Sequence, residues 1–129
     1  MKYLCLAYGE EEKMNALSKS EMDALVSRCQ IYDQELQKSG HLISGMSLGW
    51  GSTILRLRNG KLSITDGPYA ATKEVVGGLV LIEARDLNEA IQVASLHPAA
   101  RMGEELGWGI ELRPIEEFPP CKPTPADQG

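Results

Sequence analysis

"GLVLIEARDLNEAIQVASLHP", residues 78–98, changes its period halfway along. Residues 78–84 are apolar almost without interruption up to Glu83, the pattern of a central strand buried on both faces. From Asp86 the spacing becomes helical. Asp86 is a residue type that caps helix N-termini, and Glu89 stands three residues later. Ala90, Ile91, Ala94 and Leu96 are expected on the buried face. Pro98 cannot sit inside that helix, which is therefore expected to end at about His97.

Outward from this unit, the N-terminal half repeats its logic. Residues 2–8 (KYLCLAY) alternate as a strand, with Leu4, Leu6 and Tyr8 on one face and Tyr3, Cys5 and Ala7 on the other. Both faces are mostly apolar, so both are expected to be covered. The following EEEK reads as a solvated loop. Ser18 with Glu21 forms a capping box, and Met22, Leu25, Val26, Cys29, Tyr32 and Leu36 recur at helical spacing. Gly40 then supplies a left-handed C-terminal cap. Residues 41–48 read as a strand, and Gly49-Trp50-Gly51 as a break. The segments 53–58 and 61–66 flank Asn59-Gly60, a dipeptide suited to a type I′ turn, which predicts a hairpin. Residues 108–115 form a last strand.

The order is strand, helix, strand, hairpin, strand, helix, strand. This is an α+β chain: a ferredoxin-like split βαβ with an inserted β-hairpin. Right-handed crossovers place both helices on one face of the sheet. The other face, apolar at 3–8 and 79–82, then needs a cover, and a second copy of the sheet is the simplest one. A homodimer with isologous symmetry is expected.

Composition bounds the function. The 129 residues are 43% hydrophobic, 24% charged and 5% aromatic, the profile of one soluble domain with an aliphatic core. The net charge of −5 and the lack of a basic stripe argue against nucleic acid as a partner. No apolar run approaches the roughly 20 residues of a membrane span. With no recognisable targeting segment, a cytoplasmic location is the default. Cys5, Cys29 and Cys121 are widely spaced and contain no C-x-x-C pair, and His41 and His97 are the only histidines. No metal site and no cofactor is expected from such a set. From Pro119 the chain is proline-rich and aperiodic, so the domain is expected over 1–118 and an extended or disordered tail over 119–129.

The segment DGPYAATKEVVGG, residues 66–78, carries the candidate chemistry. Asp66, Gly67 and Pro68 suit a tight turn, with Gly67 supplying a positive φ. Turn chemistry does not account for Thr72-Lys73-Glu74. A functional reading makes Lys73 the contact for an anionic ligand and Asp66 or Glu74 a general base, with Tyr69, Thr72 and Trp50 beside them. His97 is the second acid–base candidate. Against this stand plainer roles: a turn for Asp66, solvent for Lys73 and Glu74, strand-end packing for Trp50 and Trp108, surface placement for His41, and for His97 a cap on the negative end of the preceding helix. Glu111 and Arg113 share strand parity and are expected to pair. Nucleophilic catalysis finds no support, since no G-x-S-x-G or Cys–His pairing occurs.

These motifs, in this order, resemble the YCII-related family of the DGPF type. Asp66-Gly67-Pro68-Tyr69 stands where that family reads D-G-P-F. Thr72-Lys73-Glu74, Gly77-Gly78, Asp86-Leu87-Asn88-Glu89-Ala90 and the terminal Glu111-Leu112-Arg113-Pro114 match in series, over about residues 1–118. The resemblance implies a dimeric α+β barrel. It also implies that some wider relatives are enzymes of small aromatic metabolites with a His–Asp pair in their cleft, while DGPF-type members have been loosely associated with transcription. Two functional classes follow. One is a small-molecule protein with a cleft, extending to cofactor-free isomerase- or lyase-like proton transfer. The other is a non-enzymatic regulatory or interaction module using the 119–129 tail.

Overall fold

The computed structural model describes residues 1–116; the 119–129 tail and Cys121 lie outside the described residues. Four strands form one antiparallel sheet: β1 (Lys2–Glu10), β2 (Leu42–Ser47), β5 (Glu74–Glu83) and β6 (Gly109–Pro114), in the order β2-β5-β1-β6. Strands β3 (Thr53–Arg58) and β4 (Lys61–Asp66) make a separate two-stranded hairpin. The main helices are α2 (Lys19–Lys38) and α3 (Leu87–Ala94), with short helices α1 (Glu11–Asn15) and α4 (Pro98–Arg101). This is the ferredoxin-like α+β plan with its inserted hairpin.

Register explains the core. Tyr3 lies opposite Ile82, and Cys5 opposite Val80. All four are buried and cluster with Leu36 of α2 and with Ala90, Val93 and Ala94 of α3. Both helices therefore cover one face. The alternate residues, Leu4 opposite Leu81 and Leu6 opposite Leu79, point to the other face and are only half-buried. A second cluster of Leu25, Met102 and Leu106 closes the far end of α2 against Met14, Tyr32 and Trp108.

The local signals in the sequence operate as chemistry dictates. The Ser18 hydroxyl accepts from the Glu21 N–H at 3.1 Å, and the Glu21 carboxylate accepts from the Ser18 N–H at 2.9 Å. Asp86 accepts from the Glu89 N–H at 2.9 Å. Gly40, φ +79°, follows the last turn of α2 in the left-handed region. The turn between β3 and β4 is made by Asn59 and Gly60, both at positive φ.

Five expectations are corrected. Glu11–Asn15 is a helical turn, not a loop, because β1 runs to Glu10 and the acidic residues that follow suit a helix N-terminus. Strand β5 begins at Glu74 rather than at 78, so Gly77 and Gly78 lie inside it. Gly77 is the extra residue of a bulge, since Ala7 faces Gly78 while Tyr8 faces Val76. Val93, not Ile91, is buried on α3; Ile91 is 47% exposed, because the packing stripe is set by Ala90, Val93 and Ala94. Gly67 does not take a positive φ; what it supplies is space, since a Cβ there would fall onto the Ser52 hydroxyl. Glu111 and Arg113 do share the open face, but Glu111 accepts from the Tyr8 hydroxyl at 3.0 Å instead of pairing with the arginine.

Candidate functional site

Where the sheet and α2 diverge, a cleft of about 350 Å³ opens on the helix side. Ala7 and Gly9 of β1 and Gly77 and Gly78 of β5 line it from the sheet. The small residues have a reason. A Cβ on Gly9 would lie 3.1 Å from Cδ1 of Trp108, and one on Gly77 would lie 3.4 Å from Cη2 of Trp50. Bare backbone thus lets two indoles lie against the strands. Met14, Val26, Cys29 and Asp33 line the cleft from the helices, with His97 and Pro98 at the mouth of α4. Trp108 is oriented by its Nε1–H, which donates to the Met14 sulfur at 3.3 Å.

His97 does not cap the end of α3. Three residues past that helix, it is the N-cap of α4, and its Nδ1 accepts the Ala99 N–H at 3.0 Å. Pro98 occupies the first position of α4, where its missing N–H costs nothing. The Ala99 N–H on Nδ1 and the loss of solvent around the ring both oppose a charged imidazole. Burial pushes the His97 pKa down, and the nearby Asp33 carboxylate only partly counters it. With Nδ1 accepting, the neutral ring carries its proton on Nε2. Near neutral pH His97 is therefore a hydrogen-bond donor, and the Asp33 carboxylate lines the same cleft. Burial first, and then the Asp33 charge, push the Cys29 thiol up, so it is not an activated nucleophile. Cys5 in the core is pushed up to about 11 by burial.

A second, larger concavity of about 1320 Å³ lies between the hairpin and the sheet body. It holds Asp66, Tyr69, Thr72 and Lys73, facing Glu10, Glu11, Glu12 and Lys13. Trp50 lines both spaces. Of the residues singled out from the sequence, the structure brings these four and Trp50 together, and puts His97 in the inner cleft beyond Trp50. Glu74 lines neither cavity. It pairs with Glu10 across the β1–β5 ladder, and its carbonyl accepts from the Thr72 hydroxyl at 2.9 Å. The Tyr69 ring lies under the Arg56 guanidinium, 4.8 Å from the ring centroid. His41 stands apart at the sheet edge, its Nδ1 2.8 Å from the Glu83 carbonyl.

Sequence reasoning missed Asp33. It follows Tyr32 of the helical stripe. One signal was available: Cys29 and Asp33 are four residues apart and so share a helix face. Among the described residues no group of three or more His, Cys, Asp or Glu side chains is placed to hold a metal ion. No helix there is long and apolar enough to cross a membrane.

Residues 1–119 match the YCII-related domain. The chain belongs to the YCII-related family. An uncharacterised protein of Rhizobium meliloti (strain 1021) is 27% identical over 122 residues, an alignment spanning 93% of this chain and 96% of that one. In this YCII-related chain the DGPF-type hallmark, here Asp66 to Tyr69, borders the outer concavity and not the inner cleft.

Proposed function

We propose that this YCII-related protein binds a small molecule in the inner cleft and can perform proton-transfer chemistry on it. The observation that carries this reading is that Asp33 and a half-buried His97, its Nδ1 occupied by the Ala99 N–H, line one cleft beside two indoles. An apolar cleft with a few convergent polar groups is the usual form of a small-molecule site. In the cleft Asp33 takes a proton from the ligand, while His97 Nε2–H donates to an acceptor oxygen and steadies charge developing there. Neither step requires a cofactor. The outer concavity, with Asp66, Tyr69, Thr72 and Lys73, serves as the approach, and Trp50 stands at the passage between the two.

The working form is a homodimer. Leu4, Leu6, Leu79 and Leu81 form an aliphatic patch on the face that α2 and α3 leave open, and Met46, 55% exposed, extends it. Apolar patches of this kind mark association surfaces.

Screening a metabolite collection by thermal shift and tryptophan fluorescence tests the site. Asp33→Asn is expected to weaken the response to a hit. His97→Asn, which keeps an N-cap oxygen but removes the imidazole donor, is expected to weaken it. Asp66→Asn and Lys73→Ala leave inner-cleft affinity within a few-fold. Loss of binding in the Asp66 and Lys73 variants with wild-type behaviour in the Asp33 variant moves the site to the outer concavity and refutes this reading.

A further inference from the structure

The inner cleft has an unbalanced charge. Among the described residues, Asp33 is the only Asp, Glu, Lys or Arg side chain that lines it. Among the described residues the Asp33 carboxylate makes no ion pair within 4.0 Å. Arg101, the cation of neighbouring α4, is turned elsewhere: its guanidinium lies 3.8 Å from Glu35 and 5.6 Å from the centroid of the Tyr32 ring. His97 supplies no positive charge, because burial and its N-cap role keep the ring neutral. A half-buried carboxylate is therefore left facing a concave space without a countercharge.

The remaining lining suits the missing charge. Trp50 and Trp108 are both there, and indoles attract cations more strongly than any other side-chain ring. Met14 adds a polarizable thioether. An anion would meet the Asp33 charge with no lysine or arginine to offset it, and would be repelled.

We propose that the inner cleft takes a small organic cation, a primary or substituted ammonium carried on an aryl or alkyl body. The ammonium donates to Asp33, and the apolar body lies against the indoles over the glycine floor. An acceptor oxygen elsewhere on the ligand takes the His97 Nε2–H. This assignment rests on the reading of the cleft as a ligand site and adds the sign of the ligand's charge. It reverses the anionic ligand expected from Lys73, a residue that the structure places in the outer concavity.

The experiment uses three probes of one shape: 2-phenylethylamine, 2-phenylethanol and phenylacetate. The chain has two tryptophans, and both line the cleft, so intrinsic fluorescence reads the site directly. The amine is expected to titrate saturably and roughly tenfold or more tighter than the alcohol, with the carboxylate weaker still. Asp33→Asn and Asp33→Ser, each checked for native unfolding behaviour, are expected to bring the amine down to the alcohol's affinity. Equal or tighter binding of the carboxylate or the alcohol overturns the proposal, as does an amine affinity unchanged in both variants. In either case the cleft remains a ligand site and only the cation is lost. Silence of all three probes, together with no hit from the metabolite collection, removes both readings.

Discussion

His97 closes the first turn of α4 by accepting the Ala99 N–H on Nδ1 at 3.0 Å. That bond requires an unprotonated nitrogen, so the cap and the ring's charge state are linked. Burial holds the folded-state pKa below that of the unfolded chain. In the window between the two values the unfolded state binds the extra proton. The stabilisation is complete above about pH 6.5, the ordinary histidine value, and is lost as pH falls through the folded value. The wild-type Tm is expected to drop between pH 7.5 and pH 5 by more than that of His97→Asn, whose cap does not titrate. Identical pH profiles for the two proteins contradict the linkage.

Removing the cap altogether has a separate cost. Asp86 satisfies the Glu89 N–H, while the Glu89 carboxylate satisfies the Arg85 N–H at 3.1 Å. Asp86→Ala is expected to cost about 1 kcal/mol in denaturant unfolding, and Asp86→Asn only a few tenths. An alanine variant as stable as wild type shows that α3 does not depend on its cap.

The glycine floor makes a contrast between two alanine substitutions. At Gly9 a Cβ comes within 3.1 Å of Cδ1 and 3.3 Å of Nε1 of Trp108, a ring also held by Met14. Gly9→Ala is expected to cost about 1–3 kcal/mol, despite the chain-entropy gain that alanine ordinarily brings, and to shift the indole emission. At Gly77 the nearest atom is 3.4 Å away, an ordinary contact, so Gly77→Ala is expected to leave stability within about 1 kcal/mol of wild type. Equal unfolding midpoints for the two variants remove the argument that Gly9 exists to seat Trp108.

The open sheet face makes the dimer testable. Leu6 and Leu79 face each other across β1 and β5 on the side away from the helices. Light scattering after gel filtration is expected to give twice the chain mass for the wild type. Leu6→Asp and Leu79→Asp are expected to give the chain mass, because each charge would be buried unpaired in the interface. A monomeric wild type, or a fully dimeric aspartate variant, rejects this surface.

Much of the fold was legible because local chemistry and global topology agree. Ser18 with Glu21, Asp86 with Glu89, Gly40 and Asn59-Gly60 each state a local geometry that neighbouring residues enforce. The run of elements between them permits few topologies, and the ferredoxin-like order is the one adopted. Boundaries were less legible. Glu74 to Gly77 joins β5 because β1 extends to Glu10 and offers it a partner, a fact that no residue in the segment carries.

The candidate site divides along the same line. Composition and period identified the strands, the capped helices and the hairpin, since each depends on residues a few positions apart, and resemblance to a known family marked 66–69. Tertiary structure alone decided which residues meet. It placed Asp33 and His97, 64 positions apart in the chain, in one cleft, and it kept Asp66 and Lys73 out of that cleft. It also gave His97 its role. A histidine before proline reads equally as the end of one helix or the start of the next. Only the Ala99 N–H, presented by α4 in the fold, selects Nδ1 as acceptor and leaves the proton on Nε2.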